Sequence, residues 1–134
     1  KEQGIMTAQY IMVVDDEPDI QMLFEQRFRK EIRSGELQFR FAFSGSEALE
    51  VLNSSAGTDL VLILSDINMP GMSGLELLRE IKGHRPGIPV FMITAYDDQE
   101  KYREAMDCGA NDYLAKPLDF GELKEKILSV RKTS

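Results

Sequence analysis

Five short apolar runs alternate along the chain with stretches whose apolar residues recur every three to four positions. The runs are Tyr10–Val14, Leu37–Phe43, Leu60–Leu64, Ile88–Ile93 and Asp112–Ala115. The third and fourth are rich in Val, Ile and Leu without polar alternation, the pattern of strands covered on both faces. The second alternates, with Phe39, Phe41 and Phe43 on one side and Gln38 and Arg40 on the other. It reads as an edge strand.

The stretches between the runs carry helix start and stop signals. Pro18 opens the first, where its missing N–H costs nothing, and Ile20, Leu23, Phe24 and Phe28 fall on one stripe. Ser44 with Glu47, and Ser73 with Glu76, each match the S-x-x-E capping box. A fourth helix is predicted over about 98–108, ending at Gly109. Asp119 caps a last helix whose stripe is Phe120, Leu123, Ile127 and Val130. The predicted order is βαβαβαβαβα, which implies a doubly wound α/β fold: a parallel sheet, right-handed crossovers and helices on both faces. Ligands in such sheets sit at the carboxyl ends of the strands, where the strand order reverses. The residues just after each apolar run are therefore the ones to inspect.

Those residues are Asp15, Asp16 and Glu17 after the first run, and Ser65, Asp66, Ile67 and Asn68 after the third. The fourth run ends in Thr94 and Ala95, the fifth in Lys116 and Pro117. Each alone has an ordinary explanation. Acidic pairs favour the positive end of a helix dipole, Asp66 precedes a Pro70–Gly71 turn, and Lys116–Pro117 is a turn before a helix. Together they bring three aspartates, a hydroxyl and an ammonium to one sheet edge. Clustered aspartates raise one another's pKa unless a cation intervenes. Hard oxygen ligands without imidazole or thiolate favour Mg²⁺. A metal with open positions, a lysine and a threonine hydroxyl suits a phosphoryl group, and an aspartate is a competent nucleophile towards it.

Composition narrows the classes. The chain has 134 residues, 43% hydrophobic and 29% charged, which fits one globular domain. With 16 Lys+Arg against 23 Asp+Glu the net charge is −7, which argues against direct nucleic-acid binding by this domain. The longest strongly apolar run, Leu60–Leu64, is too short to span a membrane. One cysteine rules out an internal disulfide and points to a cytoplasmic location.

The segments V-V-D-D-E-P-D (Val13–Asp19), L-S-D-I-N-M-P-G-M-S-G (Leu64–Gly74), I-T-A-Y (Ile93–Tyr96) and G-A-N-D-Y-L-A-K-P (Gly109–Pro117) resemble the signature blocks of bacterial response-regulator receiver domains. The resemblance spans about residues 10–130. It implies a flavodoxin-like (βα)5 fold with strand order 2-1-3-4-5, and a single receiver domain over 1–134 with no effector domain in this chain, either stand-alone or excised from a longer regulator. It makes Asp66 the phosphoacceptor of a two-component system, with Thr94 and Lys116 contacting the phosphoryl group. Asp15, Asp16, Asp66 and the backbone carbonyl of Asn68 would hold Mg²⁺. The donor would be a sensor histidine kinase, a phosphotransfer protein or acetyl phosphate, and the domain would catalyse only its own phosphorylation and dephosphorylation. Thr94 and Tyr113 would form the switch, with Tyr113 turning inward as Thr94 moves. The fourth predicted helix, fifth strand and fifth helix would be the output face and a homodimer surface. Asn68, Ala95 and Tyr96 would tune hydrolysis, and the Lys116–Pro117 peptide would be cis.

Two rival classes have weaker support. A Mg²⁺-dependent phosphatase of the haloacid-dehalogenase type carries Asp-x-Asp at its nucleophile, whereas position 68 is Asn. A receiver-like interaction module that is never phosphorylated usually lacks part of the acidic cluster or the lysine, and this chain keeps both. Other residues are read as structural. His84 is an exposed turn residue, Cys108 and Met12, Met22, Met69, Met72, Met92 and Met106 are packing residues, and Arg27, Arg29, Lys30, Glu31 and Arg33 form a solvated helix end.

Overall fold

The computed structural model describes residues 9–54, 57, 59–95 and 98–133. In chain order the elements are β1 (Tyr10–Val14), α1 (Asp19–Arg27), α2 (Arg29–Ser34), β2 (Phe39–Ala42), α3 (Gly45–Leu52) and β3 (Leu60–Asp66). They continue with α4 (Gly74–His84), β4 (Val90–Thr94), α5 (Gln99–Asp107), β5 (Asp112–Ala115) and α6 (Phe120–Thr133). The five strands form one sheet in the order β2-β1-β3-β4-β5, and every pairing is parallel. This is the flavodoxin-like doubly wound arrangement, with its switch point between β1 and β3.

Alternate residues of the central strands feed two core layers. Met12, Val14, Ile63, Val90 and Met92 pack with Leu52, Leu77, Leu78, Ile81 and Ala105 beneath α3, α4 and α5. Ile11, Val13, Leu62, Leu64, Phe91, Ile93 and Leu114 pack with Phe24, Phe28, Leu123 and Ile127 beneath α1 and α6. Each such side chain contributes ~1.5–3 kcal/mol by leaving water.

Among the described residues six helices are present where five were predicted. The first predicted helix breaks at Phe28 (φ −111°, ψ 26°), and a second short helix runs to Ser34 before Gly35 (φ 83°) ends it. The cause is aromatic. The buried Phe28 ring sits 5.3–5.9 Å from those of Phe24, Phe39 and Phe120, which turns the axis so that Ile32 also reaches this layer. The charge run is thus not merely a solvated helix end, since Glu31 pairs with Lys124 of α6. Met22 and Met106, expected to pack, are 62% and 38% exposed. His84 closes α4 rather than lying in the turn after it.

The caps follow the sequence closely. Ser73 and Glu76 form the full reciprocal box. Ser44 accepts from the Glu47 N–H, but Glu47 reaches back to the N–H of Phe43, one residue further out. Asp98 caps α5, and Asp119 accepts from the N–H groups of Gly121 and Glu122. Among the described residues no helix is long and apolar enough to cross a membrane.

Candidate functional site

The register of β1 and β3 sets Val14 opposite Ser65, so the next residues, Asp15 and Asp66, emerge side by side at the switch point. Asp15 is 1% exposed. Its Oδ1 accepts the Glu17 N–H at 2.9 Å, while Oδ2 is buried without a hydrogen-bond partner. Asp66, 6% exposed, accepts the Asn68 N–H on Oδ1 at 3.2 Å and the Lys116 ammonium on Oδ2 at 3.0 Å. Lys116 Nζ also stands 3.8 Å from Asp15 Oδ2. Asp16 is exposed, yet the three aspartates offer carboxylate oxygens that all lie within 4.8 Å of one another.

The backbone around these groups is tightly built. The Lys116 N–H donates to the Thr94 carbonyl at 2.9 Å, and the Ile67 N–H to that of Ile93 at 3.0 Å. These bonds hold the ends of β3, β4 and β5 level. Gly74 opens α4 so close to β3 that a Cβ there would lie 2.1 Å from the Asp66 carbonyl oxygen. Only glycine permits that approach. The Lys116–Pro117 peptide is cis.

Electrostatics follow from this packing. Burial pushes the Asp15 carboxyl above its ordinary range; the Glu17 N–H pulls it down, and the negative charge of Asp66 adds to the rise. Burial alone would lower the Lys116 ammonium, but the hydrogen bond and charge of Asp66, with the charge of Asp15, outweigh it and leave it raised. Three carboxylates face one ammonium, a formal excess of two negative charges. The orphaned Asp15 Oδ2 and the all-oxygen donor set fit a hard divalent cation. The group can hold a metal ion.

The predicted residues are distributed unevenly around this centre. Asp15, Asp16, Asp66 and Lys116 are brought together. Thr94 is 3% exposed at the same sheet edge, and its hydroxyl donates to the Ala95 carbonyl at 3.1 Å. Asn68 contributes its backbone N–H, with its side chain turned outward. Ala95 and Lys116 line a groove of about 630 Å³ with Ile20, Leu23, Leu118 and Phe120. Tyr96 lies outside the described residues. Tyr113 stands apart, 39% exposed, its ring 4.3 Å from that of Tyr102. Sequence reasoning missed Gly74 and Tyr102. The first was masked by the capping box it adjoins, and the second by its place in a mostly polar helix.

Fold and site together define a phosphoryl-accepting signalling domain of the doubly wound class. A profile of the response regulator receiver domain matches residues 11–128, and the chain belongs to that family. It is 38% identical over 122 residues to the response regulator protein PilR of Pseudomonas aeruginosa, covering 91% of this chain and 26% of PilR. It is 34% identical to sporulation initiation phosphotransferase F of Bacillus subtilis, over 91% of this chain and 93% of that protein. Among solved structures, response regulator TrrA of Thermotoga maritima in complex with Mg²⁺-BeF superposes with a TM-score of 0.74 at 32% identity, over 91% and 98% of the two chains. The chain thus spans about a quarter of PilR and nearly all of the phosphotransferase. As a receiver domain it has a phosphoacceptor role in two-component signalling.

Proposed function

We propose that Asp66 is the phosphoacceptor, and that Asp15, Asp16, Asp66 and the Asn68 carbonyl hold Mg²⁺. The observation that carries this reading is the buried Asp66 carboxylate, bonded to Lys116 and facing an orphaned oxygen of Asp15. Bound Mg²⁺ would supply positive charge to the carboxylates and to the oxygens of the incoming phosphoryl group. The complex of the Thermotoga relative with Mg²⁺-BeF supports the choice of metal.

The chain's own residues do the rest. A carboxylate oxygen of Asp66 attacks phosphorus, and the bond from phosphorus to the donor breaks, leaving the donor's imidazole or acetate. Lys116, with its side chain 37% exposed at the mouth of the site, moves from Asp66 to the phosphoryl oxygens. Thr94 exchanges its bond to the Ala95 carbonyl for one to the same group. An acyl phosphate carries about one charge more than the carboxylate it replaces, and this local pull is the switch input. Tyr113 then turns inward into space that Thr94 leaves. The output face, and the surface for a homodimer, comprises α5, β5 and α6.

The donor is a histidine kinase or phosphotransfer protein, with small phosphodonors as substitutes. The domain turns over no substrate beyond its own Asp66, acts in the cytoplasm, and itself touches neither nucleic acid nor membrane. Asn68 and Ala95 flank the acceptor and set how readily water reaches the acyl phosphate. Incubation with acetyl phosphate and Mg²⁺, read by intact mass, tests the assignment. Gain of one phosphoryl unit by the wild type and none by Asp66→Asn is expected; equal gain by both overturns it.

A further inference from the structure

Tyr113 is the moving part of the reading above, yet nothing in the acidic site holds it in its outward position. Its neighbour Tyr102 does. Tyr102 lies on α5, and its ring centroid is 4.3 Å from that of Tyr113 at an interplanar angle of 55°. This is close to the shortest separation that aromatic pairs favour.

The surroundings give that contact unusual weight. Met92 pairs with Tyr113 and Thr94 with Ala115 in the β4–β5 register. Tyr113, Met92 and Thr94 therefore share one sheet face, the one that α5 covers. Inward from Tyr113 that face is full, since Met92 is 0% and Thr94 3% exposed. Outward there is solvent on one flank and Tyr102 on the other. The helix carrying Tyr102 is itself thinly anchored: Ala105 is its one buried residue, and Met106, a turn beyond Tyr102, stays 38% exposed.

We infer that Tyr102 is a positioning residue for the switch: its ring clasps Tyr113 in the outward state, so that this contact sets the resting balance between the two states. The inference rests on the reading of Tyr113 as the switch residue. A ligand at Asp66 that favours the inward state binds with an affinity reduced by the fraction of molecules already there. Losing the clasp raises that fraction and tightens binding without touching the acceptor. A ring pair of this kind corresponds to a change of about 2- to 12-fold.

The probe is beryllofluoride with Mg²⁺, titrated calorimetrically, together with the ring resonances of Tyr113 in the ligand-free protein. Tyr102→Ala is expected to tighten beryllofluoride binding about 2- to 12-fold and to shift the free Tyr113 resonances towards their liganded positions. Tyr102→Phe keeps a ring and stays near the wild type. In a Tyr113→Ala background the effect of Tyr102→Ala disappears, which a merely structural role for Tyr102 would not produce. Unchanged or weaker binding by Tyr102→Ala overturns the clasp, as does an effect that persists without Tyr113. Should Tyr102→Ala fail to fold, Tyr102→Leu fills the same flank without a ring face and is judged by the same outcomes. A wild type that binds beryllofluoride equally with Asp66→Asn overturns the reading of the site itself, a result distinct from loss of the clasp alone.

Discussion

Replacing Asp15 with Asn separates what the acidic cluster costs the fold from what it gives the metal. The side chain is 1% exposed, and the substitution keeps Oδ1 for the Glu17 N–H while turning the orphaned Oδ2 into an amide donor among carboxylates. Two repulsions, from Asp16 and Asp66, are removed together with one attraction to Lys116. One uncompensated repulsion across the 4.8 Å that bounds the cluster is worth about 3.5 kcal/mol at an effective dielectric of ~20, and about 1 kcal/mol in bulk water. The exposed Asp16 is screened by solvent, so the metal-free variant gains about 1–3 kcal/mol. For a domain of this size that raises the melting temperature by roughly 4–12 °C.

The pH dependence has a definite sign. Because burial holds Asp15 above its ordinary value of 3.8, its contribution to stability is present in full below that value and is lost as pH rises through the folded one. The metal-free wild type therefore loses this increment on going from acid to neutral pH, and the variant does not. Mg²⁺ should close or reverse the gap. At a hundredfold excess over its Kd it stabilises the wild type by about 2.7 kcal/mol, whereas the variant gains little. Differential scanning calorimetry with and without Mg²⁺ gives both numbers. A variant that melts no higher than the metal-free wild type, or that Mg²⁺ stabilises to the same degree, refutes the reasoning.

Gly74→Ala should cost about 1–3 kcal/mol or more from overpacking, because the new methyl meets the Asp66 backbone; acyl-phosphate yield should fall with it. Gly83→Ala, in the same helix with open space around it, should instead add up to about 1 kcal/mol in urea unfolding. Glu31→Gln should lower stability between the two titrations and converge with the wild type at both pH extremes. The Lys124 hydrogen bond holds Glu31 below its ordinary 4.5, so that contribution is present above 4.5 and fades as pH falls through the lower folded value. Glu31 in turn raises Lys124 above 10.5, so its contribution is present below 10.5 and is lost as pH climbs through the raised value. Stability equal to the wild type's at neutral pH, or a deficit that persists unchanged at both ends, would contradict the pairing.

Strand periodicity and strand-end chemistry were legible in the chain because both are local. The run Asp112–Ala115 and the first run coincide with β5 and β1, and the aspartates after β1 and β3 stand where the switch point requires. What escaped depends on distant partners. The break at Phe28 draws on Phe120, a ring more than ninety positions further along the chain, which no local window around Phe28 contains. Met22 and Met106 are apolar residues expected to pack, yet Met22 stays mostly and Met106 partly exposed on its helix. Gly74 is required by a backbone that passes above it from β3. Tyr102 gains its role only because α5 lies across β5.

The two helices that flank β5 are fastened very differently. Phe120, Leu123 and Ile127 sink α6 into the layer that Phe24 and Phe28 build, and Lys124 ties it to α2. By contrast α5 buries only Ala105 among its own residues, with the Tyr102 ring against Tyr113 at its flank. In native-state hydrogen exchange the amides of α6 should open only with the whole domain, while those of α5 exchange through a local opening of far lower free energy. One edge of the sheet thus pairs a firmly moored helix with a loosely moored one, as a hinge pairs a fixed leaf with a free one.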